Sequence, residues 1–290
     1  MTAEIAIVTG GLRGLGKSMA LGLLQTGRKV VAVGHIDSDI PDMVRDAGEH
    51  ADNLHCLAMD LRKPAICDQL IAETQAKFGG IDILVNNAGL TFTYFDPNRF
   101  TNGPTMSWEL TDDQVQNVMD TNYMVADQLT RRVIPILLKR GWGRIINVTT
   151  KLDTMNRPGS LPYGPSKAAL EMASEIWGKE LAKVGVAGVT CNIVNPGAGA
   201  NTPGMSPVMR ELSAQGKGIH LIQPDEMVPP LLFVCSREAD RVNGYRFDAT
   251  SWDTTIPQAA SAVQSGRKSG FLMYPLSDCY SDTVDTSIIK

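Results

Sequence analysis

The amino-acid sequence predicts an α/β fold in which helices cover both faces of a doubly wound parallel sheet. Short apolar runs alternate along the chain with longer segments of helical period. The runs are apolar at nearly every position, which is typical of strands that are buried on both faces. A glycine cluster follows the first run and precedes a helical segment, as in a strand-turn-helix unit. Together these observations indicate one large domain, expected over residues 1–252.

Seven apolar runs are predicted to form the strands. In chain order they are IAIVTG (5–10), KVVAVG (29–34), LHCLAMD (54–60), IDILVNNAG (81–89), GRIINVTT (143–150), AGVTCNIVNPG (187–197) and YRFDAT (245–250). The helices predicted between them cover residues 14–26, 39–50, 63–78, 111–139, about 161–184 and about 224–235. Because helices separate the strands, the strands are expected to run parallel.

Three segments depart from this alternation. Residues 90–110 contain five aromatic side chains among several Pro and Gly residues, and they are predicted to form an insertion loop after the fourth strand. Residues 197–222 are expected to form the loop that faces the substrate. Residues 253–290 show no sustained period and are predicted to be a C-terminal extension that wraps the domain or a neighbouring subunit.

Composition argues against several classes of function. The 290 residues carry a formal net charge of -4 and no run of Lys or Arg, so neither nucleic acid nor a membrane surface is an expected partner. The N-terminus has no signal-like segment, which predicts a cytoplasmic location. Five scattered cysteines without a CxxC pair indicate reduced thiols. His50, His55 and Cys56 match no tetrahedral zinc spacing, so no metal site is predicted.

The glycine-rich turn VTGGLRGLG (8–16) is the first candidate functional motif. Gly10, Gly14 and Gly16 stand where the first strand passes into the first helix. Glycine permits unusual backbone dihedrals, and without a Cβ it lets a phosphate approach the main chain. The start of a helix offers unpaired N–H groups and the positive end of the helix dipole. A tight turn without a ligand has the same composition, but the strand-turn-helix context favours a nucleotide-phosphate site.

Four motifs together resemble the short-chain dehydrogenase/reductase family. They are TGxxxGxG in the glycine turn, NNAG (86–89), YGPSK (163–167) and NPG (195–197), in the family's order over about residues 4–250. The resemblance implies a single Rossmann-like domain with about seven parallel strands, helices on both faces, and assembly as a homodimer or homotetramer. It also implies hydride transfer between NAD(P)(H) and a ketone or secondary alcohol.

The resemblance further implies which residues bind the cofactor. The glycine turn corresponds to the phosphate-binding turn, Asp60 to the carboxylate that binds the adenine amino group, and NNAG to the segment beside the adenosine ribose. The implied cofactor-binding residues are Gly10, Leu12, Arg13, Gly14, Leu15, Gly16, His35, Asp60, Leu61, Asn87, Gly89, Tyr163, Lys167, Pro196 and Gly197. Without the other motifs, Asp60 would be read as a strand-end acid that caps a turn.

YGPSK places the phenol of Tyr163 and the ammonium of Lys167 four residues apart, and therefore on one face of a helix. Hydride delivery to a ketone leaves an alkoxide, which needs a proton donor within hydrogen-bond reach. A tyrosine suits this role when a nearby positive charge lowers its pKa, and Lys167 can supply that charge. The alternative is a helix start with an aromatic-cation contact. In the family, the lysine also binds the nicotinamide ribose.

Thr150 and Asn122 complete the expected catalytic group. The family has a serine 13 residues before the tyrosine, and that position here holds Thr150, which keeps the hydroxyl but has a stiffer χ1. Thr149 should face the other way by strand alternation, and Ser160 is the fallback candidate. Asn122 corresponds to the family's helix asparagine, whose backbone holds a water in a proton relay.

The end of the second strand bears on the choice of cofactor. Members of the family that prefer NAD carry an Asp there, whereas this chain has Gly34 followed by His35. Arg13 could meet a 2'-phosphate, which favours NADP(H). The carboxylate of nearby Asp37 instead favours NAD(H). NADP(H) is therefore the expected cofactor, with NAD(H) as the alternative.

The predicted function is that of an oxidoreductase acting on a small-molecule carbonyl or alcohol. The aromatic side chains of residues 90–110, together with Met155, suggest an apolar substrate pocket, although the same side chains would equally pack the insertion onto the sheet. Two alternatives stay open: an isomerase or lyase that retains its nicotinamide, and a cofactor-binding scaffold without activity. The short region after residue 200 argues against the first, and intact Tyr163, Lys167 and Asn122 argue against the second.

Overall fold

The structure is a computed structural model that describes residues 3–271. In this range the strands are β1 Ile5–Thr9, β2 Lys29–Gly34, β3 Leu54–Ala58, β4 Ile83–Asn86, β5 Gly143–Asn147, β6 Val189–Asn195, β7 Gly199–Ala200, β8 Leu221–Ile222, β9 Tyr245–Asp248 and β10 Arg267–Lys268. The α-helices are α1 Gly14–Gln25, α2 Ile40–Ala47, α3 Pro64–Phe78, α4 Phe92–Phe95, α5 Arg99–Asn102, α6 Asp112–Met119, α7 Val125–Arg140, α8 Leu152–Met155, α9 Tyr163–Val184, α10 Pro207–Ala214, α11 Val228–Val234 and α12 Gln258–Ser265. The predicted alternation of strands and helices is confirmed.

Eight strands form the main sheet, in the order β10-β9-β6-β5-β4-β1-β2-β3. Neighbouring strands run parallel, except that β10 runs antiparallel to β9. The expected number of about seven strands is therefore too low by one. The eighth strand is Arg267–Lys268, inside the extension that showed no period, and two residues are too few to display strand alternation.

Helices cover both faces of this sheet, as predicted. Helices α1, α2, α11 and α12 share one apolar core with the sheet, and α3, α7 and α9 share the other. Successive side chains of a strand point to opposite faces, so Ala6 and Val8 of β1 join the first core and Ile7 joins the second. All three are fully buried, which explains why the strands are apolar at nearly every position.

The segments predicted as loops contain short regular elements. Residues 90–110 hold α4 and α5, and residues 197–222 hold α10 between β7 and β8, which pair as a separate two-stranded sheet. The long helix predicted at 111–139 is divided by a π-helical turn, Asp120–Met124, that joins α6 to α7. Elements of two to five residues carry too little sequence to show a period.

The strand order reverses beside β1, which places a crevice at the middle of the sheet. From β1 the chain adds β2 and β3 on one side, and it then crosses to add β4, β5 and β6 on the other. In open parallel sheets, ligands bind where the order reverses, outside the carboxyl ends of the strands. Among the helices within residues 3–271, none has the length and apolar character needed to cross a membrane.

Candidate active site

The glycine-rich turn joins β1 to α1 at the crevice. Gly10 and Gly14 have φ angles of 61° and 58°, in the left-handed region that glycine adopts without a Cβ clash. Arg13 precedes the helix without a side-chain cap, and the first turn of α1 contains no acidic residue. Leu15 packs partly buried against the core. The positive end of the helix dipole is therefore left to an anion.

Asn87 holds this turn against β4. Its side chain donates hydrogen bonds to Thr9 O at 2.9 Å and to Gly10 O at 3.2 Å, and its backbone N–H donates to Thr9 Oγ1 at 3.0 Å. A Cβ on Gly16 would lie 2.1 Å from Gly10 O, so only glycine fits where α1 packs on the turn. Asn87 therefore shapes the glycine-rich turn, a role that the sequence did not predict.

Asp60 lies at the predicted adenosine end of the site, just beyond β3. It is half-exposed and pairs with Arg62 at 2.7 Å. Hydrogen bonding from Arg62 lowers the pKa of Asp60 to about 2, so the carboxylate is charged at neutral pH. The neighbouring Leu61 is buried in the second core. Arg62 is a partner that the sequence did not indicate.

The end of β2 holds the residues expected to influence cofactor choice. Leu12 is buried beneath Gly34, where a Cβ would lie 3.1 Å from Leu12 Cδ1, while His35 is exposed. The guanidinium of Arg13 lies 3.4 Å from Asp39, and both side chains remain partly exposed. The cation predicted for a 2'-phosphate therefore stands close to the end of β2.

Lys167 is buried in the first turns of α9, with 4% of its surface exposed. Its Nζ donates to Val148 O at 2.8 Å, immediately beyond β5. A Cβ on Gly89 would lie 3.4 Å from the same Nζ. Burial lowers the pKa of Lys167 to about 8. Lys167 therefore brings together three of the predicted motifs: YGPSK, NNAG and the end of GRIINVTT.

Tyr163 is the first residue of α9 and is partly buried. Burial raises the pKa of its phenol, while the hydroxyl of Thr150 and the charge of Arg157 act in the opposite direction. This result differs from the predicted lowering by Lys167, because desolvation is the largest influence and Lys167 donates to Val148 instead. The phenol therefore keeps its proton at neutral pH.

The two threonines beyond β5 face different partners, as strand alternation predicted. The hydroxyl of Thr150 interacts with Tyr163, whereas that of Thr149 donates to Glu171 Oε2 at 2.9 Å. The fallback candidate Ser160 donates its hydroxyl at 2.6 Å to a backbone carbonyl of its own loop. Of these three hydroxyl groups, the one on Thr150 is therefore the one that interacts with the Tyr163 phenol.

Asn122 lies in the π-helical turn, with 1% of its surface exposed. Its Oδ1 accepts from Leu90 N at 2.7 Å, and its Nδ2 donates to Leu90 O at 3.0 Å and to Ser166 Oγ at 3.0 Å. Turns of this kind recur at functional sites because they redirect side chains within a helix. Asn122 therefore ties the segment after NNAG to the turn of α9 that carries Tyr163 and Lys167.

Phe92 is the aromatic side chain of the insertion that reaches Tyr163. Its ring centroid lies 4.7 Å from that of Tyr163, and Phe95 is buried behind it at 5.9 Å. The exposed fractions of the other three are 45% for Tyr94, 41% for Phe100 and 81% for Trp108. One aromatic residue therefore contacts Tyr163, one packs the insertion down, and three face outward.

The two variable segments meet over the crevice. The hydroxyls of Thr91 and Thr93 both donate to Gly204 O, at 2.7 and 2.8 Å. Thr202 approaches the phosphate turn, since a Cβ on Gly14 would lie 3.4 Å from its Cγ2. These contacts link the insertion at 90–110 to the segment at 197–222.

Pro196 and Gly197 begin the second variable segment at the carboxyl end of β6. Gly197 has a φ of 73°, and its N–H donates to Asn195 Oδ1 at 2.9 Å. A Cβ at this position would lie 2.2 Å from Thr250 Oγ1. The glycine of the NPG motif is therefore required by both its dihedral angle and its surroundings.

Two buried charges beside the site were not predicted. Arg246 and Glu171 are 4% and 0% exposed, and Arg246 Nη1 lies 3.0 Å from Glu171 Oε1. Arg246 also donates to Thr150 O at 3.0 Å. Arg and Glu are almost never fully buried unless they are paired. The sequence held two signals for this pair: a charged residue, Arg246, within the apolar strand YRFDAT, and another, Glu171, on the inner face of α9.

Known proteins resemble this chain over most of its length. The family model for short chain dehydrogenases matches residues 4–212. A 3-oxoacyl-[acyl-carrier-protein] reductase of Synechocystis sp. is 34% identical over 202 residues, which cover 68% of this chain and 74% of the relative. A protein of the same name from Vibrio cholerae is 28% identical over 247 residues, which cover 84% and 94% of the two chains.

A solved structure has the same fold. The 3-ketoacyl-(acyl-carrier-protein) reductase from Brucella melitensis, complexed with NADH, matches with a TM-score of 0.70 at 26% identity, covering 85% of this chain and 96% of that chain. The matched region contains the glycine turn, the NNAG segment and the YGPSK helix start described above. The chain therefore belongs to the short-chain dehydrogenase family, and it is an NAD(P)-dependent dehydrogenase or reductase.

Proposed function

We propose that this chain interconverts a ketone and a secondary alcohol, with Tyr163 as the general acid/base. The observation that carries the proposal is the convergence of Tyr163, Thr150, Lys167 and Asn122 at the carboxyl edge of the sheet. They come from the end of β5, the π-helical turn and the start of α9. A phenol, a second hydroxyl and a buried ammonium at one crevice are the groups that a carbonyl reduction needs.

Each side chain has a distinct role in the reaction. The nicotinamide cofactor supplies the hydride. Tyr163 gives its phenolic proton to the carbonyl oxygen, and Thr150 donates a hydrogen bond to the same oxygen. The raised pKa of Tyr163 keeps the phenol protonated at neutral pH, which favours reduction. Lys167, with a pKa of about 8, is mostly charged at neutral pH and stabilises the phenolate. Asn122 supports the relay that returns a proton to Tyr163 through Lys167.

A panel of ketones and secondary alcohols, followed at the nicotinamide absorbance, tests this function. Both curated relatives described above are named as 3-oxoacyl reductases, so 3-oxoacyl thioesters are the first ketones to try. We expect turnover of at least one pair, and Tyr163→Phe should lower kcat by about 10²- to 10⁴-fold at an unchanged melting temperature. Full activity in Tyr163→Phe, or no turnover in any pairing, would contradict the proposal.

We also propose that the cofactor is NADP(H). The uncapped start of α1 and the glycines of the turn fit the phosphates of a dinucleotide. Arg13 stands near the end of β2, where Gly34 and His35 replace the carboxylate of NAD-preferring relatives. NADPH should therefore bind more tightly than NADH in fluorescence titrations, and Arg13→Gln should weaken NADPH more than NADH. Equal or reversed affinities of the wild-type chain would refute the preference.

The two alternative functions have less support. A nicotinamide-retaining isomerase or lyase is disfavoured because the relatives are named as reductases. A scaffold without activity is disfavoured because Tyr163 and Lys167 at the start of α9 lie beside residues Val148 and Thr150, just beyond β5. We propose a homodimer or homotetramer in the cytoplasm. Exposed Ile176 and Val184 on α9 are consistent with a helix face that another subunit covers, and analytical ultracentrifugation tests the assembly.

A further inference from the structure

Arg246 and Glu171 form the one ion pair within residues 3–271 in which both side chains are less than 5% exposed, and the proposed reaction does not use them. Arg246 lies in β9, and Glu171 lies in α9, one turn beyond Lys167. Taking two charges out of water costs several kcal/mol per ion, and a well-packed apolar pair of similar volume is often at least as stable. Stability alone is therefore a weak reason for this pair.

The pair and its neighbour Lys167 hold three successive residues beyond β5. Lys167 Nζ donates to Val148 O at 2.8 Å. The hydroxyl of Thr149 donates to Glu171 Oε2 at 2.9 Å. Arg246 Nη2 donates at 3.0 Å to the backbone carbonyl of the third residue, Thr150. The backbone that carries the Thr150 hydroxyl is thus held by charged groups from two different elements.

Further contacts restrict the two charged groups themselves. Arg246 Nη2 also lies 3.3 Å from Asp248 Oδ1, which accepts from Asn195 Nδ2 at 2.6 Å. Arg246 Nη1 is close to Glu171 but has no acceptor in hydrogen-bond geometry, so charge attraction accounts for that contact. The guanidinium is therefore held mainly through Nη2, the nitrogen that reaches Thr150.

The C-terminal segment completes the arrangement. Gly270, which follows β10, donates its N–H to Glu171 Oε1 at 3.2 Å. A Cβ at this position would lie 1.7 Å from Oε2 of Glu175, one turn further along α9, and the φ of 86° also requires glycine. Residues 267–268 bring the chain to this point by pairing with β9. Gly270, within the segment that the sequence showed only as an extension, therefore contacts a buried carboxylate next to the site.

We propose that Arg246 and Glu171 are positioning residues, which hold the Thr150 backbone so that its hydroxyl faces the substrate oxygen. The inference rests on the proposed role of Thr150 in catalysis. A displacement of about 1 Å at a catalytic group can cost about 100-fold in rate, so loss of the Arg246 contact should lower kcat. Cofactor binding should change little, because the phosphate turn lies on a different strand.

Apolar replacement of both partners separates positioning from stability. Glu171→Leu and Arg246→Met should each lower the melting temperature, because each leaves one buried charge unpaired. The double variant should recover much of that stability, while kcat stays at least 10-fold below wild type and the KM for NADPH changes less than twofold. A double variant that regains wild-type kcat would overturn the proposal, since the pair would then be only structural.

Arg246→Lys provides a second measurement if the apolar variants fold poorly. Lysine keeps the charge beside Glu171 but lacks the planar fork that reaches both Glu171 and Thr150. The proposal expects near-native stability with reduced kcat, and wild-type kcat in this variant would overturn it.

A double-mutant cycle with Thr150→Ala distinguishes this inference from the proposed function. If Arg246 acts through Thr150, Arg246→Lys should cause little further loss of kcat in the Thr150→Ala background. Full additivity of the two losses would show that Arg246 acts elsewhere, and it would leave the role of Thr150 intact. Unchanged activity in Thr150→Ala alone would instead refute the proposed role of Thr150 and remove the basis of the inference.

Discussion

Two buried arginines lie toward opposite ends of the parallel strands, Arg144 toward the amino ends and Arg246 toward the carboxyl ends, and their surroundings differ. Arg144 stands near the amino end of β5 with none of its surface exposed. Its guanidinium donates to the carbonyls of Gly188 and Ser236 and pairs with Asp240, which is itself partly exposed. The ring of Trp142 stacks 4.4 Å from the guanidinium carbon. These partners lie outside the strands, toward the amino ends of the sheet and away from the crevice.

Arg246 lies toward the carboxyl ends of the strands. Its carboxylate partner Glu171 is fully buried there, and its guanidinium donates to the backbone carbonyl of Thr150. Each guanidinium donates to a backbone carbonyl outside the strands, Ser236 O for Arg144 and Thr150 O for Arg246. Of the two, only Arg246 contacts a residue of the proposed catalytic group, Thr150. Under our proposal, similar burial and hydrogen bonding serve the fold at one end of the strands and the site at the other. Stability and kcat, measured on the same variants, should separate the two cases.

The largest effect should come at Thr150, the site residue that Arg246 contacts. Thr150→Ala removes the second hydroxyl at the carbonyl oxygen, and kcat should fall by about 10²- to 10³-fold, as for the loss of one oxyanion donor. The free energy of unfolding should change little. Thr150→Ser keeps the hydroxyl and should retain activity. Steady-state kinetics check both variants, and substantial activity in Thr150→Ala would move the role to another hydroxyl, with Ser160 examined first.

Arg144→Met should produce the opposite result. The substitution leaves the carbonyl of Ser236 without its donor and Asp240 without its charged partner, whereas Gly188 O keeps the Gly143 N–H; each lost partner costs about 1–3 kcal/mol. We expect the free energy of unfolding in urea to fall by about 3 kcal/mol, with kcat within twofold of wild type for the folded fraction. A large loss of kcat at native stability would show that Arg144, at the amino ends of the strands, also influences the site. The proposed difference between Arg144 and Arg246 would then be wrong.

The smallest effect should come from Lys167, the buried cation that titrates near neutral pH. Its pKa falls from 10.5 to about 8 in the folded chain, so between these values the unfolded chain binds a proton that the folded chain has lost. The free energy of unfolding should therefore rise with pH over this interval.

Comparison with Lys167→Met isolates this contribution from cysteine and tyrosine titration. The wild-type chain should gain on the order of 2 kcal/mol over the variant between pH 8 and pH 10. Urea unfolding at pH 8, 9 and 10 measures the difference. A constant difference would mean that Lys167 keeps an ordinary pKa.

Most of the fold was predictable because its signals are local. Strands buried on both faces must be apolar throughout, and the amphipathic helices between them carry their own period. The strand Arg267–Lys268 was missed because two residues have no period, and its position depends on pairing with β9. The π-helical turn was missed for a similar reason, since it alters the hydrogen bonding of one turn only.

The candidate site was predictable where its spacing is local. Tyr163 and Lys167 share a helix face, and the alternation of Thr149 and Thr150 follows from strand geometry. The pairing of Arg246 with Glu171 joins residues far apart in the chain, and no spacing rule connects them. The direction of the Tyr163 pKa was predicted wrongly, because desolvation depends on packing that the sequence does not display.

The π-helical turn at Asp120–Met124 joins α6 and α7 into one continuous helix, but it changes the rotation of α7 about the helix axis relative to α6. A turn of this kind accommodates an extra residue, which rotates everything after it by about 100° relative to an unbroken α-helix. Before the turn, Gln114 donates to Phe95 O in the insertion; after it, Leu129 and Val133 face the core. Removing one residue from the turn would bring the two halves into phase, and α6 could then no longer support the insertion while α7 keeps its place on the sheet. The residue at the change of phase, Asn122, is the one that holds Leu90.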